Sequence, residues 1–311
     1  MKLLPAHRKY LISHASSAPS AALIARADAL LLMLPAECLA RLAQLPGGDV
    51  LRRERERLPR AAASVWSVTL PTRRGTRVVT GELPAGADAF QQLTLAGRMV
   101  HELAAVEPRV VALASVGADG VRGVAPVAAL LTALFAATEA RPSQKSQPPR
   151  RWQPAELVVC GRVDAAAALA IENGAHLARW LTALPPNVLY PGSYRRALAA
   201  LARRHRWQMR TFSEAALRRL GAGAFAAVAR GSRNRDAALV RLEYRPRQRR
   251  GAQAQRPVAL VGKGLCFDTG GHNLKGAKSM LDMHIDMAGS AVAVGTLEAL
   301  AASGYPGPVD A

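Results

Sequence analysis

Apolar positions in the first 150 residues follow both helical and strand-like spacing. Residues 16–45 are rich in Ala and Leu, a composition that predicts a helix. Val65–Leu70 and Arg77–Thr80 flank an Arg-Gly turn, which predicts a β-hairpin. The other elements predicted in this part are a helix over 88–105, a buried strand at Val110–Ala114 and a helix over 124–138. No motif in it can be connected to a chemical activity.

The pattern changes after residues 139–154, EARPSQKSQPPRRWQP, which lack apolar periodicity and are the best candidate for a linker. Beyond them strand-like and helical segments alternate, as is typical of an α/β sheet covered on both faces. The predicted strands are Leu157–Cys160, Trp207–Phe212, Ala237–Tyr244 and Pro257–Val261, and the predicted helices cover 163–183, 194–204, 213–220 and 287–302. We therefore expect an N-terminal α/β domain over 1–150 and a second α/β domain over 151–311.

The composition is that of a globular chain with a basic upstream part. Half of the 311 residues are hydrophobic, and the formal net charge of +20 is carried mainly by arginine. After Gln255 the balance of charge reverses, so the basic excess belongs to the upstream part. Such a charge fits either codon bias towards Ala and Arg or a polyanionic partner. Nucleic-acid binding by the upstream part therefore stays open as an alternative function.

Neither an export signal nor a membrane span is expected. No apolar run with a small-residue cleavage site follows the basic N-terminal residues. The most apolar stretch, Ala21–Leu45, contains four charged residues. Cys38, Cys160 and Cys266 show no CxxC spacing, which indicates neither a disulfide framework nor a zinc ribbon. A cytoplasmic protein is the default expectation.

Candidate chemistry is concentrated in Val258–Ala291, VALVGKGLCFDTGGHNLKGAKSMLDMHIDMAGSA. A short apolar strand leads into a glycine-rich loop, and an apolar helical run follows. A Walker phosphate loop needs GxxxxGK[ST], whereas Lys263 is followed by glycine, and no GxGxxG opens a helix. A phosphate-binding loop is therefore disfavoured.

Asp268 and Asp286 flank this loop and favour a metal site, because α/β sheets place ligands at the carboxyl ends of their strands. Three of the six lysines in the chain fall within residues 263–278, although arginine is used nearly everywhere else. Lysine, unlike arginine, can lose its proton and bind a metal. Keeping it neutral at pH 7 costs about 4 kcal/mol, which the roughly 10 kcal/mol released by divalent metal binding offsets.

The same residues also have simpler structural interpretations. Asp286 would cap the helix that follows it. Lys263 and Lys275 would form ion pairs with the nearby aspartates. His272 and His284 occur in no familiar zinc-binding spacing and are expected to face solvent or to support the ligands from outside.

Taken together, VGKG, FDTGG, LK and DMAGSA stand in the order and spacing of the leucyl aminopeptidase (cytosol aminopeptidase) family, which the sequence resembles. ENGAHLARWLTALPPNVLYPGSY and LGAGAFAAVARGS are similar to the same family's approach to its catalytic domain. The resemblance covers residues 157–311. It implies that the second domain is the first part of an α/β aminopeptidase catalytic domain, with an incomplete sheet.

The resemblance also implies a role for each candidate residue. Lys263, Asp268 and Asp286 would bind two divalent ions, Mn²⁺ or Zn²⁺, with Asp268 shared between them. Lys275 would be the catalytic lysine that polarises the scissile carbonyl and stabilises the oxyanion. Asp286 would also contact the free amine of a peptide substrate, and Met283 would line the pocket for its N-terminal side chain. Such a two-metal enzyme would release leucine-like residues from peptide N-termini, and the family is typically a homo-hexamer.

Part of the family's site has no counterpart in this sequence. Two ions with four or more ligands each need about eight ligand positions, and three side chains are available. The remaining ligands, and the arginine that holds the family's bicarbonate base, come from a later NTDAEGR segment that is absent here. We therefore expect an N-terminal portion of a longer aminopeptidase, with doubtful activity by itself. The alternatives are a nucleic-acid-binding protein and a pseudoenzyme that acts only as a subunit.

Overall fold

The computed structural model describes residues 2–6, 9–59, 64–117, 126–147, 151–246, 255–272 and 274–311. The chain forms two compact units. The first unit comprises Arg8–Glu139 and Pro149–Leu169, and the second comprises Met1–His7, Ala140–Pro148 and Ala170–Ala311. Both units are of the α/β class.

The first unit is built on a six-stranded sheet of order β1-β6-β5-β2-β4-β3. Neighbouring strands are parallel except for the antiparallel pair β3 and β4. Its elements are β1 (Ile12–Ala15), α1 (Ala21–Arg26), β2 (Ala29–Pro35), a 3₁₀ helix (Ala36–Gln44), α2 (Gly48–Arg57), β3 (Val65–Thr69), β4 (Arg77–Leu83), α3 (Ala89–Ala104), β5 (Val110–Ser115), α4 (Pro126–Thr138), β6 (Glu156–Cys160) and the beginning of α5 (Ala165–Thr182). All seven residues of β2 are buried, because helices cover both faces of the sheet.

The helix predicted over residues 16–45 is wrong. Only Ala21–Arg26 is α-helical, and the following ALLLMLP run forms the central strand β2. A short run that is apolar at every position fits a doubly covered strand as well as a buried helix, so periodicity alone does not separate them. Asp28 lies where the chain turns into the strand, and its carboxylate accepts the backbone N–H groups of Arg109 and Val110.

The boundary between the two units differs from the expected division at residue 150. Strand β6 pairs in parallel with β1 and β5, so it belongs to the first sheet. The predicted linker is also packed in part, because Trp152 Nε1 donates to the Pro108 carbonyl over 2.8 Å. Residues 148–150 of that linker lie outside the described residues. Helix α5 begins in the first unit and ends in the second.

The second unit carries a four-stranded sheet of order β7-β8-β10-β9, in which only the pair β10 and β9 is parallel. Its further elements are α6 (Pro191–His205), β7 (Gln208–Ser213), α7 (Glu214–Arg219), α8 (Gly223–Ala229), β8 (Ala238–Tyr244), β9 (Val258–Ala259), α9 (Ala277–Met280), a 3₁₀ helix (Met283–Ile285), α10 (Ala288–Ala302) and β10 (Val309–Asp310). The strand predicted at Pro257–Val261 is thus only two residues long.

Helix α10 runs through the core of the second unit. Its buried face includes Ala291, Val294 and Leu297. It crosses α5 closely, since a Cβ on Gly174 would lie 2.2 Å from the Gly295 carbonyl oxygen. The helical run Ala277–Ala302 is long and apolar enough to span a membrane by length and composition, but core helices of soluble proteins pass the same test.

Candidate metal centre

The candidate residues lie on the loop between β9 and α9 and on the segment that enters α10. Asp268 begins a tight turn in which the Gly270 N–H donates to Asp268 Oδ1 over 2.8 Å. Gly270 and Gly271 both have positive φ angles, 76° and 103°, which glycine adopts at low cost. The turn is closed by the Lys275 N–H, which donates to the Thr269 carbonyl over 2.9 Å.

The glycine-rich loop packs directly on the beginning of α10. A Cβ on Gly262 would lie 2.4 Å from Ser290 Cα and 2.6 Å from the Gly289 carbonyl oxygen, so a larger residue does not fit. The Ser290 N–H donates to the Lys263 carbonyl over 2.8 Å. This packing brings Lys263 next to Asp286, although 22 residues separate them in the chain.

Two ion pairs connect the four candidate charges. Lys263 Nζ donates to Asp286 Oδ1 over 2.9 Å, and Lys275 Nζ donates to Asp268 Oδ2 over 2.7 Å. Lys275 Nζ also lies 3.1 Å from the sulfur of Met283. All five residues predicted for the site therefore belong to one neighbourhood, and the ion pairs of the simpler structural interpretation are present.

The neighbouring charges shift the pKa values of Lys263 and Asp268. The pKa of Lys263 is raised, first by its hydrogen bond to Asp286 and further by the charges of Asp286 and Asp268. The pKa of Asp268 is lowered, first by its hydrogen bond from Lys275, then by the Gly270 N–H and by the charge of Lys263. Asp268 thus responds to both lysines, which joins the two pairs into one electrostatic group.

One carboxylate oxygen in this group is not satisfied. Asp286 Oδ2 is buried and has no hydrogen-bond partner among the described residues. A buried carboxylate oxygen without a donor favours a cation beside it. The residues present therefore fit a divalent metal, with Asp286 Oδ2 as the open acceptor, Asp268 as a second carboxylate and Lys263 as a third ligand once its amine is neutral.

The remaining polar residues of the segment add little to this group. His272 and Lys278 are exposed, and His284 is half-buried. Within the described ranges, no group of three His, Cys, Asp or Glu side chains could hold a metal. The candidate site has two carboxylates, Asp268 and Asp286, and its third candidate ligand is a lysine.

Two residues with no predicted role are linked to the site through hydrogen bonds. The hydroxyl oxygens of Tyr194, on α6, and Ser290 are 3.1 Å apart. The backbone N–H of Ser290 in turn donates to the carbonyl of Lys263. The two residues stand 96 positions apart, so their sequence spacing gives no signal of the contact.

Comparison with known proteins identifies the segment that carries this site. The model of the cytosol aminopeptidase family, catalytic domain, matches residues 176–311. Residues 176–311 thus resemble the catalytic domain of the cytosol aminopeptidase family. The aminopeptidase match includes all five site residues and the upstream helix α6.

Curated relatives support the same family. A probable cytosol aminopeptidase of Parasynechococcus marenigrum is 38% identical over 190 residues, which are 59% of this chain and 38% of the relative. One of Afipia carboxidovorans is 43% identical over 132 residues, which are 42% of this chain and 25% of the relative. The matched regions thus span well under half the length of these relatives.

Two solved structures are similar in fold to most of the chain. A mutant of tomato leucine aminopeptidase matches with a TM-score of 0.74 at 20% identity. The match covers 99% of this chain and 63% of the tomato chain. The bottromycin maturation enzyme BotP in complex with Mn matches with a TM-score of 0.69 at 26% identity. The match covers 91% of this chain and 58% of the BotP chain. The similarity of fold therefore extends beyond the residues 157–311 that the motifs covered, into the first unit.

Proposed function

We propose that this chain carries the metal-binding half of a metal-dependent exopeptidase that releases leucine-like residues from peptide N-termini. The observation that supports it is the group of Lys263, Asp268 and Asp286, in which one buried carboxylate oxygen lacks a partner. The family match of residues 176–311 supplies the reaction class.

Lys263, Asp268 and Asp286 would hold two divalent cations, Mn²⁺ or Zn²⁺, with Asp268 shared between them. Bound there, the cations would polarise the scissile carbonyl and activate water at neutral pH. The Lys263–Asp286 and Lys275–Asp268 ion pairs keep the four charges balanced before metal enters. Lys263 must lose a proton to act as a ligand, whereas Lys275 can keep its own.

Lys275 is suited to stabilise negative charge on the substrate. Its ammonium group sits between Asp268 Oδ2 and the Met283 sulfur, on a turn closed by its own backbone N–H. A positioned cation of this kind lowers the energy of a tetrahedral oxyanion. We therefore assign Lys275 as the catalytic residue of the chain.

The free amine of a substrate would be recognised by Asp286. Its carboxylate accepts a hydrogen bond only from Lys263 within the described residues, so it could bind a cation through one oxygen and still accept a hydrogen bond from the substrate amine. An acylated amine carries no charge to pair, which restricts the reaction to chain ends. Met283, next to Lys275, would line the pocket for the N-terminal side chain.

The location and the assembly of the protein are proposed from its relatives. They are called cytosol aminopeptidases, and we propose the cytoplasm and a homo-oligomer, a hexamer as in the family, for this chain as well. The arginine that would hold bicarbonate is not in this sequence. The comparisons lend no support to the alternative of nucleic-acid binding by the basic upstream part.

Ligand binding to the 311-residue protein tests this function. With Mn²⁺ present, calorimetry is expected to show binding of leucinamide and not of N-acetyl-leucinamide, because only the former has the amine that Asp286 recognises. Equal binding of both compounds would contradict the proposal. Turnover of leucyl p-nitroanilide is expected to stay near background, since three side chains fill only part of the roughly eight ligand positions of two ions. Robust turnover would contradict that expectation.

A further inference from the structure

The hydrogen bond between Tyr194 and Ser290 joins helix α6 to the beginning of α10. Their hydroxyl oxygens are 3.1 Å apart. Ser290 Oγ also lies 2.8 Å from the Met287 carbonyl, to which it donates. A serine hydroxyl has one proton, so Ser290 can only accept from Tyr194. The direction of the bond is therefore fixed: Tyr194 donates and Ser290 accepts.

Tyr194 is held in a single environment by burial. Its side chain is 6% exposed and packs in the core of the second unit together with Met287 and Ala291. Burial raises the pKa of the phenol to about 12, so the hydroxyl keeps its proton at physiological pH. Because a buried hydroxyl without a partner is unfavourable, the Ser290 acceptor orients the Tyr194 side chain.

Ser290 also contacts the loop that carries Lys263, through its backbone N–H. Its N–H donates to the Lys263 carbonyl over 2.8 Å and is shared with the Met287 carbonyl at 3.1 Å. Gly262, the residue before Lys263, packs so closely against Ser290 Cα that no side chain fits between them. The loop that carries Lys263 thus rests on the residue that Tyr194 holds.

We propose that Tyr194 is a positioning residue of the candidate metal centre and acts through Ser290 to set the place of Lys263 relative to Asp286. The proposal rests on the proposed function, because positioning matters only if Lys263 and Asp286 bind a metal. Asp286 lies two residues before α10, and Lys263 lies on the loop that packs on the first turn of α10. A small shift of this turn changes the distance between the two candidate ligands.

Hydroxyl-deletion variants of the full chain test the proposal. Tyr194→Phe keeps the ring and removes the donor, and Tyr244→Phe is the matched control, since its hydroxyl donates to the Tyr305 carbonyl over 3.0 Å at the four-stranded sheet. Exchange of the Ser290 backbone amide, which donates to the Lys263 carbonyl, is measured without metal, and Mn²⁺ affinity is measured by calorimetry. Tyr194→Phe is expected to speed exchange and to weaken Mn²⁺ binding about fivefold, the effect of one net hydrogen bond. Tyr244→Phe is expected to do neither.

A double variant separates positioning from general loosening. Ser290→Ala leaves the Tyr194 hydroxyl buried without its acceptor, and adding Tyr194→Phe removes that unsatisfied group. The double variant should therefore bind Mn²⁺ at least as tightly as Ser290→Ala alone. Additive losses, or a Tyr194→Phe affinity equal to that of Tyr244→Phe, would overturn the proposal.

The exchange measurement needs no metal, which keeps the two proposals distinguishable. Absence of Mn²⁺ binding by the unaltered chain would overturn the proposed function and, with it, a metal-positioning task for Tyr194. Exchange of the Ser290 amide that stays unchanged in Tyr194→Phe would overturn the positioning proposal even if the unaltered chain binds Mn²⁺.

Discussion

Lys263 Nζ donates to Asp286 Oδ1 over 2.9 Å, while the other oxygen of Asp286 is buried and has no partner in the described part of the chain. The same pair is a salt bridge in the metal-free chain and two candidate ligands when metal is bound. Lys263 keeps its proton in the first state, because the hydrogen bond to Asp286 raises the pKa of its amine. If Lys263 and Asp286 bind a metal as proposed, metal binding is coupled to proton loss at Lys263.

The first prediction concerns this coupling. Mn²⁺ binding is expected to release a proton, so its affinity should rise with pH over the neutral and alkaline range. Calorimetry in buffers of different ionisation enthalpy measures the release. Lys263→Met should abolish it, whereas Lys278→Met, which changes an exposed lysine, should not. Proton release that persists in Lys263→Met would show that another group titrates.

The second prediction concerns the packing of the glycine-rich loop. Gly262→Ala places a methyl group 2.4 Å from Ser290 Cα, so the loop must move away from α10. We expect a loss of about 1–3 kcal/mol in the free energy of unfolding and weaker Mn²⁺ binding. Gly276→Ala is the control, since a Cβ there meets nothing within 4 Å. Equal effects of the two substitutions on denaturation and on Mn²⁺ binding would contradict the packing argument.

The third prediction concerns the crossing of α5 and α10. Gly295→Ala puts a Cβ 2.3 Å from the Gly174 carbonyl oxygen and should lower the stability of the second unit by about 1–3 kcal/mol. Gly97→Ala in α3, where the space is open, should instead be neutral or stabilise by up to about 1 kcal/mol. Thermal denaturation of both variants measures the difference. A Gly295→Ala variant as stable as the unaltered chain would show that the helices can separate without cost.

These positions also indicate what can be predicted from the sequence. The β3–β4 hairpin and the helices α3 to α6 follow from the local pattern of apolar and turn-forming residues, since their signals are local. Strand β2 does not, because its apolar run is interpreted correctly only when the helices on both faces are known. The pairing of β6 with β1 joins positions more than 140 residues apart, and no local pattern encodes it.

In the candidate site, too, some residues can be predicted from the sequence and others cannot. Lys263, Asp268, Lys275 and Asp286 were predicted from a motif that lies within 24 residues, so their proximity is largely a local property. Tyr194 could not be predicted, because its contact with Ser290 depends on how α6 packs on α10. The assignment of the four residues as ligands and catalyst stays a prediction.

The fourth prediction concerns acid stability of the first unit. Burial of Asp28 raises its pKa, but hydrogen bonds from the Val110 and Arg109 N–H groups and from Arg74 outweigh burial, so the net pKa is lowered. The ionised carboxylate therefore stabilises the fold above the unfolded pKa of about 4. That stabilisation is lost as the pH falls through the lower native pKa.

Asp28→Asn is accordingly expected to cost about 1–3 kcal/mol near pH 7 and much less near pH 2. Denaturation of the variant at both pH values measures this change. Asp49→Asn, at an exposed position in the first turn of α2, is the matched control and should change little at either pH. A cost of Asp28→Asn that is the same at both pH values would contradict the role of the ionised carboxylate.

The central claim is that Asp286 binds a divalent metal in this chain. Titration of Mn²⁺ into the 311-residue protein, followed by the loss of the free-ion electron paramagnetic resonance signal, tests it most directly. We predict saturable binding that Asp286→Asn abolishes and that Asp282→Asn, a change at an exposed neighbour, leaves intact. Binding that survives in Asp286→Asn, or no binding by the unaltered chain, would contradict the account.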